Sequence, residues 1–112
     1  MDVQAMISAL KGEDKDARIN ACVELAKAGR LAKPAVPFLI PLLKERDPLA
    51  RRLAAYALGE IGPDAQSALP DLKGLLNDSD RDVAMQAINS LRNIDPKNYA
   101  GLQTENTTVP SK

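Results

Sequence analysis

The chain has no histidine, no tryptophan and one cysteine among its 112 residues. With Cys22 as the only sulfur nucleophile and no imidazole, zinc, haem and non-haem iron sites of the usual kinds lack ligands. His-based catalytic triads lack their base, and a lone cysteine cannot close an internal disulfide. Aromatics number three, one phenylalanine and two tyrosines, against an excess of alanine and leucine. That composition suits thin helices packed closely together. Charge of one sign is also missing: fifteen basic and fifteen acidic residues cancel. The balance argues against a general binder of nucleic acid or anionic membrane, without removing a local basic patch. No run of 18 apolar residues exists, and no basic-then-apolar signal stands at Met1. The expectation is a soluble, intracellular protein, in the cytoplasm or an internal compartment; a leader removed upstream leaves no trace in this numbering.

What the chain does contain is a repeat of 33 residues. Asp14/Asp47, Ala17/Ala50, Arg18/Arg51, Ala21/Ala54, Leu25/Leu58 and Gly29/Gly62 are identical pairs at that spacing. One period further lie Asp80, Ala87, Leu91 and Ile94, with Pro96 matching Pro63. A second register carries Ala35, Pro37, Leu39, Leu42 and Leu43 onto Ala68, Pro70, Leu72, Leu75 and Leu76. A period of this length without strand-like alternation predicts stacked helical hairpins, an all-α solenoid.

Asp14, Asp47 and Asp80 read as N-caps, with Pro48 in the first turn of the second helix. Outer helices are predicted over about 15–28, 48–61 and 81–94. Their apolar stripes are Ala17, Ala21, Cys22, Leu25; Ala50, Ala54, Ala55, Leu58; and Val83, Ala87, Ile88, Leu91. Gly29 and Gly62 end two of them and Asp95-Pro96 the third. Cys22 shares a repeat position with Ala55 and Ile88 and is read as a small buried hydrophobe. Inner helices are predicted over about 35–45 and 68–77. Residues 2–11 form a third, since Val3, Met6, Ala9 and Leu10 fall one period before Val36, Leu39, Leu42 and Leu43. Pro41 and its counterpart Gly74 are helix breakers, so these inner helices are either kinked, late to start, or merely bent.

The run Ala50-Arg51-Arg52-Leu53-Ala54-Ala55-Tyr56-Ala57-Leu58-Gly59-Glu60-Ile61-Gly62, followed by Ala65 to Asp78, resembles HEAT-like repeats, in particular the short type named after phycobilisome lyases. The resemblance covers about residues 2–95. It implies a right-handed α-solenoid of about three repeats and six helices. The solenoid occupies 1–97, with a half repeat at 2–12, repeats from 14, 47 and 80, and a polar tail at 98–112. It also implies a non-catalytic scaffold for protein–protein contacts, a small accessory or assembly subunit, with no cofactor and no metal. Relatives that hold iron on His-Glu steps are excluded by the missing histidines. An accessory of the bilin-lyase kind is the alternative from another class. A nucleic-acid binder of the HEAT-like glycosylase kind fits worse with zero net charge and no tryptophan.

In this family the inner helices line a concave face. Positions there that are free of core duty give a candidate partner surface of Ile7, Lys11, Phe38, Ile40, Pro41, Lys44, Asp71 and Lys73. Phe38, Ile7 and Ile40 form an apolar contact patch on one reading, and tuck into a small core on the other. Asp14 with Arg18 and Asp47 with Arg51 are read as a structural ladder between repeats, which stops where Ala84 replaces the arginine. Asn106-Thr107-Thr108 has the form of a glycosylation acceptor and is read as a chance match.

The repeat pattern opens on an inner half and closes on an outer half. Apolar solenoid ends need covers. One expectation is self-association through Val3, Met6, Met85, Ile88, Tyr99 and Leu102, giving a homodimer or a head-to-tail assembly. The rival is that Tyr99, Leu102 and Val109 fold back as a cap.

Overall fold

The computed structural model describes residues 2–102. Val109 and the Asn106-Thr107-Thr108 triplet lie outside them. From the N-terminus run α1 (Val3–Lys11), α2 (Lys15–Ala28), α3 (Val36–Leu39), α4 (Pro48–Ile61), α5 (Leu69–Gly74), α6 (Arg81–Ile94) and α7 (Pro96–Tyr99). Tight 3₁₀ segments at Gly29–Ala35, Ile40–Lys44, Gly62–Ala68 and Leu75–Asn77 fill most of the intervals. The described residues contain no strand, and no described helix is long and apolar enough to cross a membrane.

Aspartate starts each long helix. Asp2, Asp14, Asp47 and Asp80 precede α1, α2, α4 and α6, and each side chain accepts from a backbone N–H of the first turn. These bonds satisfy donors that a helix N-terminus otherwise leaves bare. Glycine stops the first two outer helices. Gly29 (φ 58°, ψ −131°) and Gly62 (φ 84°, ψ −147°) adopt a backbone region that side chains with a Cβ rarely enter. The chain then turns sharply into the 3₁₀ segment that leads to the inner layer.

The inner layer is less regular, for a local reason. Pro41 has no N–H to give to the carbonyl one turn back, so α3 ends at Leu39 and the chain tightens to 3₁₀ over Ile40–Lys44. Gly74 is the last residue of α5, and Leu75–Asn77 tighten in the same way. Both breakers therefore shift helix type midway rather than delaying the start.

The outer helices stack side by side, with α4 between α2 and α6. Leu25, Leu39, Leu58, Leu72, Ile88 and Leu91 are fully buried along this stack. Each such side chain stabilises by roughly 1.5–3 kcal/mol relative to exposure. The crossing of α4 and α6 is close. A Cβ on Gly59 would meet Ser90 Oγ at 2.6 Å and Ser90 Cα at 3.0 Å. Ser90 is wholly buried, and its hydroxyl donates to the Ala55 carbonyl of α4 while accepting from Gln86 Nε2. One repeat earlier the equivalent positions are Ala26 and Ala57, both buried. Small residues at both crossings let the helices approach.

α7 packs on α6, with Asp95 as its cap. Gln66 Nε2 donates to the Ile94 carbonyl at 3.0 Å, tying the end of α6 to the segment before α5. Gly59→Val forces α4 and α6 apart and is expected to cost about 2 kcal/mol in urea unfolding. An unchanged midpoint would mean that the two helices are not in contact at Gly59.

Candidate functional site

The inner segments carry the expected partner positions, and the structure separates them by role. Lys11, Pro41, Lys44 and Lys73 are exposed, whereas Phe38, Ile40 and Asp71 are half-buried. Ile7 is a correction: it is buried at 6% exposure and belongs to the core. The period of α1 explains it. Val3, Met6, Ile7 and Leu10 form one i, i+3, i+4, i+7 stripe, and this stripe turns toward α2 and the Gly29–Ala35 segment. Matching Ile7 to Ile40 and Lys73 by repeat register alone misses that.

Phe38 and Ile40 are neither free nor enclosed. One part of each packs against the core. Over the Phe38 ring stands Lys11 Nζ, 5.3 Å from the centroid, a cation–π contact. One repeat further, Lys44 Nζ reaches Asp71 Oδ1 at 3.5 Å. Lys11 and Lys44 are repeat mates, as are Phe38 and Asp71, so the two contacts are one geometry filled with different chemistry.

The arginine ladder exists, but with other partners than the cap aspartates. Arg51 Nε and Nη2 donate to the two carboxylate oxygens of Asp78 at 2.8 and 2.9 Å. Its Nη1 donates to the carbonyls of Glu45 and Arg46. The fork closes on a carboxylate 27 positions later in the chain, not on Asp47 four positions before. Asp47 instead caps α4 and takes Lys15 Nζ at 3.0 Å from the neighbouring helix. Asp14 caps α2, with no arginine on it. Geometry dictates this: the i−4 aspartate is occupied by first-turn amides, while the acid closing the inner segment lies beside the guanidinium. The recurrence of an acid at Glu45 and Asp78 was the available signal.

In the first repeat that rung is loose. Arg18 Nη1 donates to the Gly12 carbonyl at 3.0 Å, mirroring Arg51 on Glu45. Glu45, however, stays 3.9 Å from Nη2, and the buried Nε of Arg18 has no partner among the described residues. Side-chain exposure follows suit, 41% for Glu45 against 8% for Asp78.

Four ionisable groups among the described residues are shifted, and the Asp78 bond raises one of them, Arg51. Burial raises the Asp78 carboxyl, but the Arg51 bonds, the Asp80 N–H and the guanidinium charge outweigh it and hold it below the usual range. Asp47 lies low through Lys15 and the Leu49 N–H. Burial pushes the Cys22 thiol up to about 12, against a smaller opposing pull from Arg18.

At the ends, Ile88 is a second correction: it is fully buried within the stack and offers nothing to another copy. The free side of α6 is mostly polar: Asp82, Asn89, Arg92 and Asn93 are exposed there, with Met85 half-buried among them. Val3, Met6 and Met85 are half-buried. Tyr99 and Leu102 are half-buried against the core, as a fold-back requires. Exposed apolar side chains that repeat reasoning passed over are Leu31, Leu49 and Tyr56, the last two on α4.

A family model described as HEAT repeats matches residues 3–96 of the chain. The match reaches HEAT repeats as a whole and not the narrower phycobilisome-lyase type. No curated protein and no solved structure matches.

Two measurements check the site's energetics. Asp78→Asn leaves a largely buried guanidinium without its carboxylate and is expected to cost about 2–3 kcal/mol. Because the folded carboxyl lies below its unfolded value, the pair's contribution is complete above about pH 4 and lost as pH falls further. Wild-type stability should therefore drop more steeply in acid than that of Asp78→Asn; parallel acid limbs would contradict the pair. Native Cys22 should resist a thiol reagent at pH 8 and react fully in denaturant, and rapid native labelling would refute its burial.

Proposed function

This chain belongs to the HEAT-repeat family, and on that premise we propose that it is a non-catalytic protein-binding module. Its inner-segment face receives the partner, and its role is that of a small accessory or assembly subunit within a larger complex. HEAT repeats generally mediate protein–protein interaction. The observation that carries the reading is Phe38. The only phenylalanine of the chain stands half-buried on that face, beneath Lys11 and one repeat from the Lys44–Asp71 pair. An aromatic anchored on its inner side, with a lysine over it and a charged pair in the next repeat, has the make-up of an interface centre with a polar rim.

The groups available for chemistry support the non-catalytic part. Cys22 is buried with a raised pKa, which removes the thiolate that a nucleophile needs. The chain has no histidine to serve as a base. Self-association is not required by this reading, and the polar free side of α6 does not favour it.

The test is a pull-down from native extract with three baits: wild type, Phe38→Asp, and Tyr56→Asp on an outer helix. A partner held by wild type and Tyr56→Asp but weakened at least tenfold by Phe38→Asp supports the reading, given unchanged helicity. Lys73→Glu, an exposed change on the same face, guards against misfolding and should weaken the same partner severalfold. Equal capture by all baits would contradict the inner-segment face.

A further inference from the structure

The two arginine rungs have the same backbone frame and different occupants. Arg51 has all three guanidinium nitrogens engaged, by two carbonyls and both oxygens of Asp78. Arg18 makes only the matching carbonyl bond, to Gly12. Among the described residues its Nε is buried without a partner, and its Nη2 is 3.9 Å from Glu45. A buried, unpaired guanidinium nitrogen costs on the scale of a lost charged hydrogen bond, so this edge is a vacancy for a carboxylate.

Space for one lies beside it. A cavity of about 170 Å³ between α2 and α4 is lined by Arg18, Ile19, Cys22, Leu42, Glu45 and Ala50, among others. Its floor is aliphatic and its mouth is charged. The lining holds Lys15, Arg18 and Arg46 against Glu45 and Asp47, three cations to two carboxylates. Lys15 and Asp47 are paired with each other, which leaves Arg18 and Arg46 facing Glu45 alone. The longer glutamate is the less anchored part: its side chain is 41% exposed and its one ion pair among the described residues is the 3.9 Å approach. Arg18, Leu42 and Glu45 also line a neighbouring cleft that runs to Lys11 and Phe38.

We propose that the Arg18 cleft binds a carboxylate carried on a short aliphatic group, which takes on Arg18 the place that Asp78 takes on Arg51. The incoming carboxylate displaces Glu45 toward solvent and fills the Nε–Nη2 edge of the fork. Its aliphatic tail lies on Ile19, Cys22, Leu42 and Ala50. A chain end closing on leucine and a free branched-chain acid both carry this group. The site stands independently of the partner-binding reading, since a small acid occupies it alone.

The test is NMR of the arginine Nε–H signals of the whole chain during titration with 4-methylpentanoate. The expected result is a saturable shift at Arg18 with a Kd of about 1 mM, no shift at Arg51, and none at either with 4-methylpentanamide. Removing the competing carboxylate in Glu45→Ala should tighten binding severalfold. A tetrapeptide ending in free leucine then separates the sources. Tighter binding than the free acid assigns a protein chain end, and weaker binding a small molecule; either ordering supports the site. An Arg18 signal that does not move, or that moves together with Arg51, overturns it. So does Glu45→Ala binding no more tightly than wild type. Lys73→Glu, which lines neither cleft, should leave this titration unchanged, so the two proposals fail separately.

Discussion

Everything in this structure depends on burial between neighbouring repeats. A single hairpin of this sequence has an apolar stripe on its outer helix and too little of its own surface to cover it. Stacking supplies the cover: α4 lies between α2 and α6 and buries Ala54, Ala55, Ala57, Leu58 and Ile61. The close crossing at Gly59 and Ser90 exists because glycine leaves room there. Stability in such a stack is a sum over nearest neighbours, so the middle helix has two covers and each end has one.

The polar contacts follow the same stacking vector. Arg51 to Asp78, Arg18 to Glu45, Lys44 to Asp71 and Lys11 to Phe38 each join a residue to one 27 positions on. The arginine contacts lie where the inner segments end, and the lysine contacts lie on the inner-segment face. Where the pair is complementary and shielded, as in Arg51 with Asp78, it locks neighbouring repeats. Where it is mismatched, as in Arg18 with Glu45, the frame is kept and the contact is open. Differences between repeats, rather than the repeat itself, are thus where binding chemistry is written. That is why the candidate anchors are Phe38, whose place Asp71 takes in the next repeat, and Arg18, whose facing Glu45 becomes Asp78 there.

Most of the fold was legible because it rests on local signals. Aspartate caps placed the starts of α2, α4 and α6, and glycine stops the ends of α2 and α4, since both act within one turn of chain. Alanine and leucine stripes marked the core for the same reason. Tertiary pairing was harder to see. An acid four residues before an arginine looks like its partner on a helical wheel, yet Asp14 and Asp47 were already engaged by backbone amides. Ile7 was assigned by repeat register where the helical period of α1 decided its direction. Ile88 was taken for an end residue, although it sits on the covered side of the last helix. Ser90 had no sequence signal of burial, because a serine in a helix more often faces water. The site proper was legible only as a face. Which of its side chains are anchored and which are free depends on how the inner segments tighten after Pro41 and Gly74.

Native-state amide hydrogen exchange tests this account most directly. If stability is a sum of neighbour contacts centred on α4, its buried amides and those of α2 and α6 facing it exchange last, only through global unfolding. The amides of α1 and α7 exchange earlier through local opening. Protection as strong in α1 as in α4, or α4 opening before the end helices, would contradict a stack held from its middle.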